Sequence, residues 1–171
     1  QQILPNWLAT GEEHYCVLDL AGLGFCTGTD FAGQLGNGSF TSPAVGSYPF
    51  ITPGTQSYSY LAAGKQHTCG FRQYNPLLGA SNLVPECWGL NNTGQVGNAT
   101  LTFASVNTPA FINLPVGSPT AFDSTSLALG GQHTCVLSLA PTPGLGYCWG
   151  SNGYGQLGRG TTLTSTARDS V

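Results

Sequence analysis

The segment that decides the fold is CWGLNNTGQVG, residues 87–97. Two other segments share its spacing, CTGTDFAGQLG at residues 26–36 and CWGSNGYGQLG at residues 148–158. Each of them lies 61 residues away from the central segment. A motif that recurs at a fixed period indicates a repeat architecture, in which every copy forms one structural unit that packs against its neighbours.

A second shared element precedes each of these segments. It reads LATGEEHYC at residues 8–16, LAAGKQHTC at residues 61–69 and LALGGQHTC at residues 127–135. Its copies are separated by 53 and 66 residues, so the loop between the two elements varies in length. The sequence therefore divides into three units of one domain, at residues 1–53, 54–120 and 121–171.

The second unit reads as four short strands between clusters of Gly, Pro and Asn, at residues 58–62, 67–72, 84–88 and 110–114. No window keeps the apolar period of 3.6 residues over a helical length, so no helix is predicted. Units of four antiparallel strands in series are typical of β-propeller blades. We therefore predict an all-β chain of about three blades.

Three blades do not close a propeller ring, which typically needs about four to eight. The prediction is therefore an incomplete ring, either a segment of a longer propeller or a unit that assembles with copies of itself. The last strand of the third unit is expected to be cut short at Val171, because the second unit places its own last strand about 12 residues after the motif.

Composition and charge exclude several classes of function. The chain has 4 Lys or Arg and 7 Asp or Glu, with 33 Ser or Thr. So few basic residues cannot form a phosphate-neutralising face, and no nucleic-acid partner is expected. No apolar run approaches the ~20 residues of a membrane span. The aromatic content of 11% is enough to build a core and argues against disorder.

The six cysteines fall into three pairs, one in each unit. Six cysteines allow 15 connectivities, and the repeat favours the one that joins the two cysteines of each unit. Persistent disulfides form in oxidising compartments, so an extracellular or cell-surface location is predicted. The expected bonds are Cys16–Cys26, Cys69–Cys87 and Cys135–Cys148.

The combined signature, Ala-Ala-Gly-x-x-His-Thr-Cys followed by Cys-Trp-Gly-x-Asn-x-x-Gly-Gln-Leu-Gly, resembles the regulator-of-chromosome-condensation type repeat over residues 7–171. The resemblance implies blades of a seven-bladed β-propeller, of the secreted, cysteine-bearing variety. The founding nuclear member is a nucleotide-exchange factor for a small GTPase. This chain differs from it by its disulfide-type cysteines and its lack of basic character, so that activity is not carried over. A bacterial member that is similar in fold is a secreted inhibitor of β-lactamases.

The motif residues are predicted to be structural. Glycine suits a tight turn with positive φ, and a phosphate-binding glycine loop would lead into a helix, which is not predicted here. The glutamines are expected to bond backbone groups across the turn and the tryptophans to pack between blades. Thr27 takes the tryptophan position in the first unit, which predicts a less filled interface there. The set is Gly33, Gln34, Gly36, Gly94, Gln95, Gly97, Gly155, Gln156, Gly158, Trp88 and Trp149.

A histidine stands two residues before the first cysteine of every unit, as His14, His67 and His133. With the second cysteine, each unit offers three potential zinc ligands, but a closed site needs a fourth and the carboxylates do not recur with the period. The alternative is a partly buried imidazole whose two nitrogens bond neighbouring backbone. We expect this structural role, and no metal or cofactor.

No catalytic set is recognisable in the sequence. No pair of carboxylates recurs at positions that would converge in a cleft, and there is no Gly-x-Ser-x-Gly nucleophile motif. Since catalysis requires placed acids, bases or a metal, the chain is predicted not to be an enzyme.

Three sequons for N-linked glycan begin at Asn37, Asn91 and Asn98. Asn91 shares its position in the repeat with Asp30 and Asn152, where a turn side chain bonds its own backbone, so it is the weakest candidate. The other two follow the Gly-Gln-Leu/Val-Gly turn and are the stronger candidates.

These observations favour a non-catalytic structural or protein-binding module of a secreted or cell-surface glycoprotein, with a filament or matrix subunit as one form of it. The expected partners are other proteins or copies of the chain, with covalent glycans. The alternative is a secreted inhibitor or regulator of an enzyme that uses the propeller face. A glycan-acting enzyme and a GTPase exchange factor are less favoured.

Overall fold

The computed structural model describes residues 5–51, 57–72, 85–98, 104–113, 121–140 and 143–163, together with the backbone of residues 165–170. Three antiparallel sheets, one from each unit, follow one another along the chain. Among the described residues no segment forms an α-helix, and no helix is long and apolar enough to span a membrane. The prediction of an all-β chain of propeller blades is confirmed.

The first blade contains three strands in the order β1-β2-β3, namely β1 (Pro5–Thr10), β2 (His14–Asp19) and β3 (Gly24–Gly28). A short extended segment takes the place of the fourth strand. The Cys26 amide donates to the carbonyl of Pro49 over 3.1 Å, and the Ile51 amide donates to Gly24 over 3.0 Å. This segment thus closes the outer edge of the blade with two backbone hydrogen bonds.

The second blade has the order β4-β5-β6-β7, with β4 (Tyr58–Ala63), β5 (His67–Arg72), β6 (Glu86–Gly89) and β7 (Val106–Phe111). The prediction of the last strand at residues 110–114 is wrong, because β7 begins four residues earlier and includes Pro109. β7 is the edge strand, where a residue without an N–H need not interrupt the ladder. Residues 84 and 114, which the predicted strands included, lie outside the described residues.

The third blade has the order β12-β11-β10-β8, and β9 also pairs with β10. Its first strand is interrupted by one turn of 3-10 helix, η1 (Ser124–Ser126), which separates β8 from β9. Asp123 caps this turn by accepting a 2.9 Å hydrogen bond from the Thr125 amide. The strands are β8 (Ala121–Phe122), β9 (Ala128–Leu129), β10 (His133–Ala140), β11 (Gly146–Gly150) and β12 (Ser165–Ser170).

The expectation that the last strand of the third unit is cut short is wrong. The strand β12 pairs with β11 and has six residues, as β7 does. The strand fits within the chain because it begins soon after the motif ends at Gly158. The sequence analysis expected a longer loop between the motif and the last strand.

The hydrophobic core lies between adjacent blades. One cluster joins the first and second blades and includes Leu18, Leu35, Leu61 and Trp88. A second cluster joins the second and third blades and includes Phe71, Val96, Val136 and Trp149. The first strands of successive blades contact one another, β1 with β4 and β4 with β9, so they form the inner wall of the arc.

Candidate functional site

Three disulfides join Cys16 to Cys26, Cys69 to Cys87 and Cys135 to Cys148. Each links directly opposed residues on the second and third strands of one blade. These are the pairs that the repeat predicts. Because disulfide sulfurs are not thiolates, they do not serve as the cysteine ligands of the zinc alternative. The described residues hold no group of three His, Cys, Asp or Glu side chains placed to bind a metal.

Four residues tie the second blade to the first, and we call this set the relay. The indole N–H of Trp88 and the hydroxyl of Thr68 both donate to the main-chain carbonyl of Gln34, over 3.0 and 2.8 Å. The imidazole Nε2 of His14 lies 2.8 Å from the same Thr68 hydroxyl. Two blades are thereby connected by three hydrogen bonds at one buried point.

The relay determines the tautomer of His14. A carbonyl can only accept, so Thr68 gives its single hydrogen to Gln34 and must accept from the imidazole. His14 therefore carries its hydrogen on Nε2, while its buried Nδ1 has no hydrogen-bond partner. Burial lowers the pKa of His14 to about 4, which keeps the ring neutral. The prediction that both nitrogens bond backbone is wrong, because Nε2 bonds a side chain of the next blade.

The same arrangement joins the third blade to the second. Trp149 and Thr134 donate to the carbonyl of Gln95 over 2.9 and 3.0 Å, and His67 Nε2 lies 3.0 Å from the Thr134 hydroxyl. Burial, with smaller contributions from the charges of His14 and His133, lowers the pKa of His67 to about 3. The relay is thus a repeated device of the blade interface.

Sequence reasoning identified the histidine, glutamine and tryptophan of the relay but did not identify the threonine. The signal was present, since the Thr of the His-Thr-Cys motif recurs as Thr68 and Thr134. The threonine was not identified because a hydroxyl side chain next to a cysteine does not by itself indicate that the residue lies at an interface between blades. Its role depends on a carbonyl that lies 34 residues away in one copy and 39 in the other.

The last glycine of the motif is required where the tryptophan of the next blade packs against the turn. Gly36 has φ +66° and Gly97 has φ +70°, a left-handed backbone that favours glycine. A Cβ at either position would lie 2.6 Å from the indole nitrogen of Trp88 or Trp149. Both the backbone conformation and the close approach of the next blade therefore select glycine.

The turn of each motif is held by its own side chains. The Gln34 side-chain carbonyl accepts from the Ala32 amide over 3.0 Å, and Gln95 and Gln156 repeat this bond in their blades. Asp30 accepts from the Leu35 amide over 3.0 Å, as Asn91 and Asn152 do from the corresponding amides. The turn glycines have positive φ at Gly33, Gly94 and Gly155. In the first and second blades, the turn thus presents the main-chain carbonyl of its glutamine to the next blade.

The outward face of the third blade repeats the groups that the other blades bury. His133 and Gln156 occupy the positions of the relay residues His14 and Gln34, and Gly158 occupies that of Gly36. Leu137 is 41% exposed, whereas Leu18 and Phe71, which hold the same position in the other blades, are 2% and 1% exposed. We call this surface, defined by these four residues, the third-blade face. On this surface Leu137 and Gly158 are exposed, and His133 and Gln156 are half-buried.

The opposite face of the arc, on the first blade, is chemically different. Tyr15 stands where Thr68 and Thr134 stand in the other blades, and Thr27 replaces the tryptophan. The Tyr15 hydroxyl bonds that of Tyr48 over 2.9 Å. Phe25 packs on Phe50, with ring centroids 4.4 Å apart. An aromatic layer therefore covers this surface in place of the relay groups. We call this surface of the first blade the first-blade face.

The inner turns of the three blades surround an open depression of about 370 Å³. Its lining includes Glu12 and Lys65, whose charged groups lie 3.1 Å apart and are about half exposed. An ion pair this exposed adds little stability. Besides this one acid and one base, the lining includes the hydroxyl side chain of Thr10.

A buried charge cluster in the second blade was not anticipated from the sequence. Glu86 is buried, forms an ion pair with Arg72 and accepts a 3.0 Å hydrogen bond from the Tyr58 hydroxyl. Burial raises the pKa of Glu86, against the lowering effect of Arg72. The Arg72 guanidinium also lies 5.2 Å from the centroid of the Phe111 ring. The cluster secures β4, β5 and β6 to one another.

The structure places the three glycosylation candidates differently. Asn91 is buried, and its side-chain amide donates to the Asn98 side chain over 3.3 Å. Asn37 is half-buried, and its side-chain oxygen accepts from the Ser39 amide over 2.8 Å. Asn98 is half-buried, and the other two residues of its sequon lie outside the described residues. Burial of Asn91 leaves its amide nitrogen inaccessible to a glycan.

Comparison with known proteins supports the repeat assignment. Residues 87–137 match the family described as regulator of chromosome condensation (RCC1) repeat. No curated protein matches the chain. Among solved structures, human WBSCR16 superposes with a TM-score of 0.78 at 20% identity, covering 100% of this chain and 38% of that protein.

Yeast RCC1 (Prp20), in its complex with Kap60, superposes with a TM-score of 0.76 at 19% identity over 98% of this chain and 37% of that one. Prp20p from Saccharomyces cerevisiae, in a study of its binding to Gsp1p and histones, gives 0.62 at 18% identity over 100% and 51%. The chain thus spans less than two fifths of the length of the first two structures. These matches show that residues 87–137 form an RCC1-type repeat and that the chain has the fold of β-propeller blades in an incomplete ring.

Proposed function

We propose that this chain is a non-catalytic, extracellular protein-binding module of a structural kind. The observation that carries the proposal is the third-blade face, where Leu137 is exposed although the same position is buried in both other blades. An exposed apolar surface surrounded by hydrogen-bonding groups is typical of a protein-interaction site.

The disulfides support an extracellular location. Three cross-strand disulfides in a chain with no free cysteine are typical of proteins that fold in an oxidising compartment. The sequons at Asn37 and Asn98 agree with passage through a secretory pathway in which N-linked glycans are added.

The solved neighbours support protein binding as the general use of this scaffold. Yeast RCC1 binds Kap60, and Prp20p was studied for its binding to Gsp1p and histones. At identities below 20%, the likeness concerns the fold, so the partner of this chain is a separate question.

The charge of the chain indicates the character of the contact. Four basic and seven acidic residues supply little long-range electrostatic steering. The third-blade face presents an exposed leucine beside the half-buried His133 and Gln156, a combination that favours close packing and short hydrogen bonds. Such a contact suits a lasting assembly, such as a filament or an extracellular matrix, better than a rapid encounter.

The test uses the full chain, secreted from a eukaryotic host and added to extracellular material of its source. Wild-type chain and the variant Leu137→Asp are compared by native electron microscopy and intact mass after recovery. We expect the wild type to be recovered in a stoichiometric complex with an extracellular protein and the variant to be recovered alone. A wild-type chain that stays a compact monomer without any partner would contradict the proposal. Phe31→Asp, at another exposed apolar residue, is the matched control and should retain the partner.

A further inference from the structure

We propose that Tyr15 and Tyr48 form a modification site, at which a haem peroxidase with hydrogen peroxide joins the two rings into an intramolecular dityrosine cross-link. The site lies on the first-blade face and goes beyond the proposed function, which depends on the opposite end of the arc. The two phenols are in contact, a small residue between them leaves them room to meet, and the chain offers an oxidant few other targets.

The two phenols touch although 33 residues of chain separate them. Their hydroxyl oxygens lie 2.9 Å apart, and their ring centroids lie 6.2 Å apart in an edge arrangement. In a tyrosine radical the carbons that couple are ortho to the oxygen, so hydroxyls in contact bring those carbons close together. Tyr48 is 41% exposed and Tyr15 is half-buried, so the pair can be reached from solvent.

Three neighbouring segments of the first blade place the phenols in one row. Tyr15 on β2 lies opposite Thr27 on β3. The bridge between Phe25 and Phe50 continues this register to the outer segment, which places Tyr48 beside Thr27. Directly opposed residues share one face of a sheet, so the threonine lies between the two tyrosines. Its small side chain lets the rings meet, whereas the tryptophan that the other blades carry at this position would fill that space.

The composition directs an oxidant toward tyrosine. The chain has no methionine, and its cysteines are all in disulfides, so it offers neither a thiol nor a thioether to oxidation. Trp88 and Trp149 are fully buried, and Trp7 packs on Tyr60. Tyr154 is 97% exposed on the turn of the third blade, so its phenol would couple between molecules rather than within one.

The step is a two-electron oxidation. Each phenol loses one electron and one proton, and the two resulting radicals form a carbon–carbon bond between their ortho carbons. The hydrogen on each coupled carbon then moves to the phenol oxygen, which restores both aromatic rings. Hydrogen peroxide takes up the two electrons and two protons through the haem of the peroxidase and is reduced to two molecules of water.

The cross-link would join β2 to the outer edge of the first blade. That edge is held by two backbone hydrogen bonds from a short segment, where the second blade has the full strand β7. The disulfide beside Tyr15, between Cys16 and Cys26, links only β2 and β3. The modification would therefore tie the outer segment covalently to the rest of its blade.

The test treats the full 171-residue chain, with its three disulfides, with hydrogen peroxide and a haem peroxidase. We expect a monomeric product that has lost the mass of two hydrogens and shows dityrosine fluorescence. Peptide mapping should find Tyr15 and Tyr48 in the cross-linked peptides. The yield should not change over a tenfold range of chain concentration, because the reaction takes place within one molecule.

Conservative variants identify the two rings. Tyr15→Phe and Tyr48→Phe keep the aromatic packing but remove one phenol, so each should lower the yield of the monomeric product at least tenfold. Tyr154→Phe is the matched control, because it removes an exposed phenol elsewhere and should leave that yield unchanged. Thr27→Trp should also lower the yield, since the indole would separate the two rings. Circular dichroism and the disulfide content show whether each variant is folded.

Two results would overturn this assignment. One is a treated wild-type chain whose products are all intermolecular, so that no monomer loses two hydrogens. The other is a monomeric product whose cross-linked peptides contain tyrosines other than Tyr15 and Tyr48. The result is also separate from the proposed function, because Leu137→Asp, which alters the third-blade face, should cross-link as the wild type does.

Discussion

The indole nitrogen of Trp88 lies 3.0 Å from the main-chain carbonyl of Gln34, and this one contact joins the centre of one blade to the turn of the blade before it. The carbonyl is buried between two sheets, so water is not available to it as a donor. It is satisfied only when the next blade is in place. The stability of each blade therefore depends on its neighbour.

Substituting the last glycine of each motif should separate backbone strain from the interface. Gly36→Ala and Gly97→Ala should each lower the free energy of unfolding by about 2–4 kcal/mol, because they combine a positive φ with a collision against an indole ring. Gly158→Ala, which is exposed and shares the same φ, should cost about 1 kcal/mol. Urea unfolding of the three variants measures the difference. Equal losses at all three positions would show that the indole contact contributes nothing.

Asp30 should make the chain less stable at neutral pH. Its carboxyl is buried, its second oxygen has no hydrogen-bond partner, and burial raises its pKa to about 6 from 3.8. A raised folded-state pKa contributes stability that is present below about pH 4 and is lost as the pH rises through 6. Asp30→Asn, which places here the residue of the other two blades, should therefore stabilise the chain by about 1–2 kcal/mol at pH 7.5.

The gain from Asp30→Asn should disappear near pH 4, where the carboxyl is protonated in both the folded and the unfolded state. The mirror variant, Asn91→Asp, should be destabilised at pH 7.5 and recover on acidification. Thermal and urea unfolding from pH 4 to 8 compare the two variants with the wild type. A difference that does not change with pH would mean that Asp30 does not titrate in the folded chain.

His67 should have the opposite dependence on pH. Burial lowers its pKa to about 3 from 6.5, so the folded chain favours the neutral ring. A lowered folded-state pKa of a base contributes stability that is present above pH 6.5 and is lost as the pH falls toward 3. At pH 8, His67→Gln should cost about 1–2 kcal/mol through loss of the bond to Thr134.

The cost of His67→Gln should shrink below pH 6 and vanish near pH 5, since the wild type alone pays for keeping the imidazole neutral. His133→Gln is the matched control, because burial lowers the pKa of His133 as well but its ring is only half-buried. The control should show a smaller change with pH. Unfolding curves at pH 5, 6.5 and 8 decide the matter, and parallel losses at the three pH values would refute the prediction.

Removing only one partner of the ion pair between Arg72 and Glu86 should destabilise the chain more than replacing both partners. Arg72→Leu leaves the buried Glu86 carboxylate without a cation and should cost about 3 kcal/mol at pH 7. Arg72→Leu/Glu86→Phe should recover most of that loss, because Phe25 fills the equivalent position of the first blade. Both variants are measured by urea unfolding, and a double variant as unstable as the single one would show that the pair itself is required.

The sequence is enough to predict the repeat, the all-β class, a division into three units and the pairing of the cysteines. These follow from periodicity, since CWGLNNTGQVG and its two relatives recur with the same spacing of Gly, Gln and Gly and each unit carries its own two cysteines. Periodicity does not reveal strand ends. The start of β7 at Val106 depends on its position at the edge of a sheet, which no local pattern encodes.

How the repeated residues act together depends on the stacking of the blades. His14, Thr68 and Trp88 belong to different units, and they meet because two sheets stack around one carbonyl of Gln34. Stacking also places Tyr15 and Thr27 on the first-blade face, away from the second blade. The sequence names the members of such a contact, but packing across 54 residues of chain decides which of them touch, because hydrogen bonds and van der Waals contacts depend on distance in space and are blind to order along the chain.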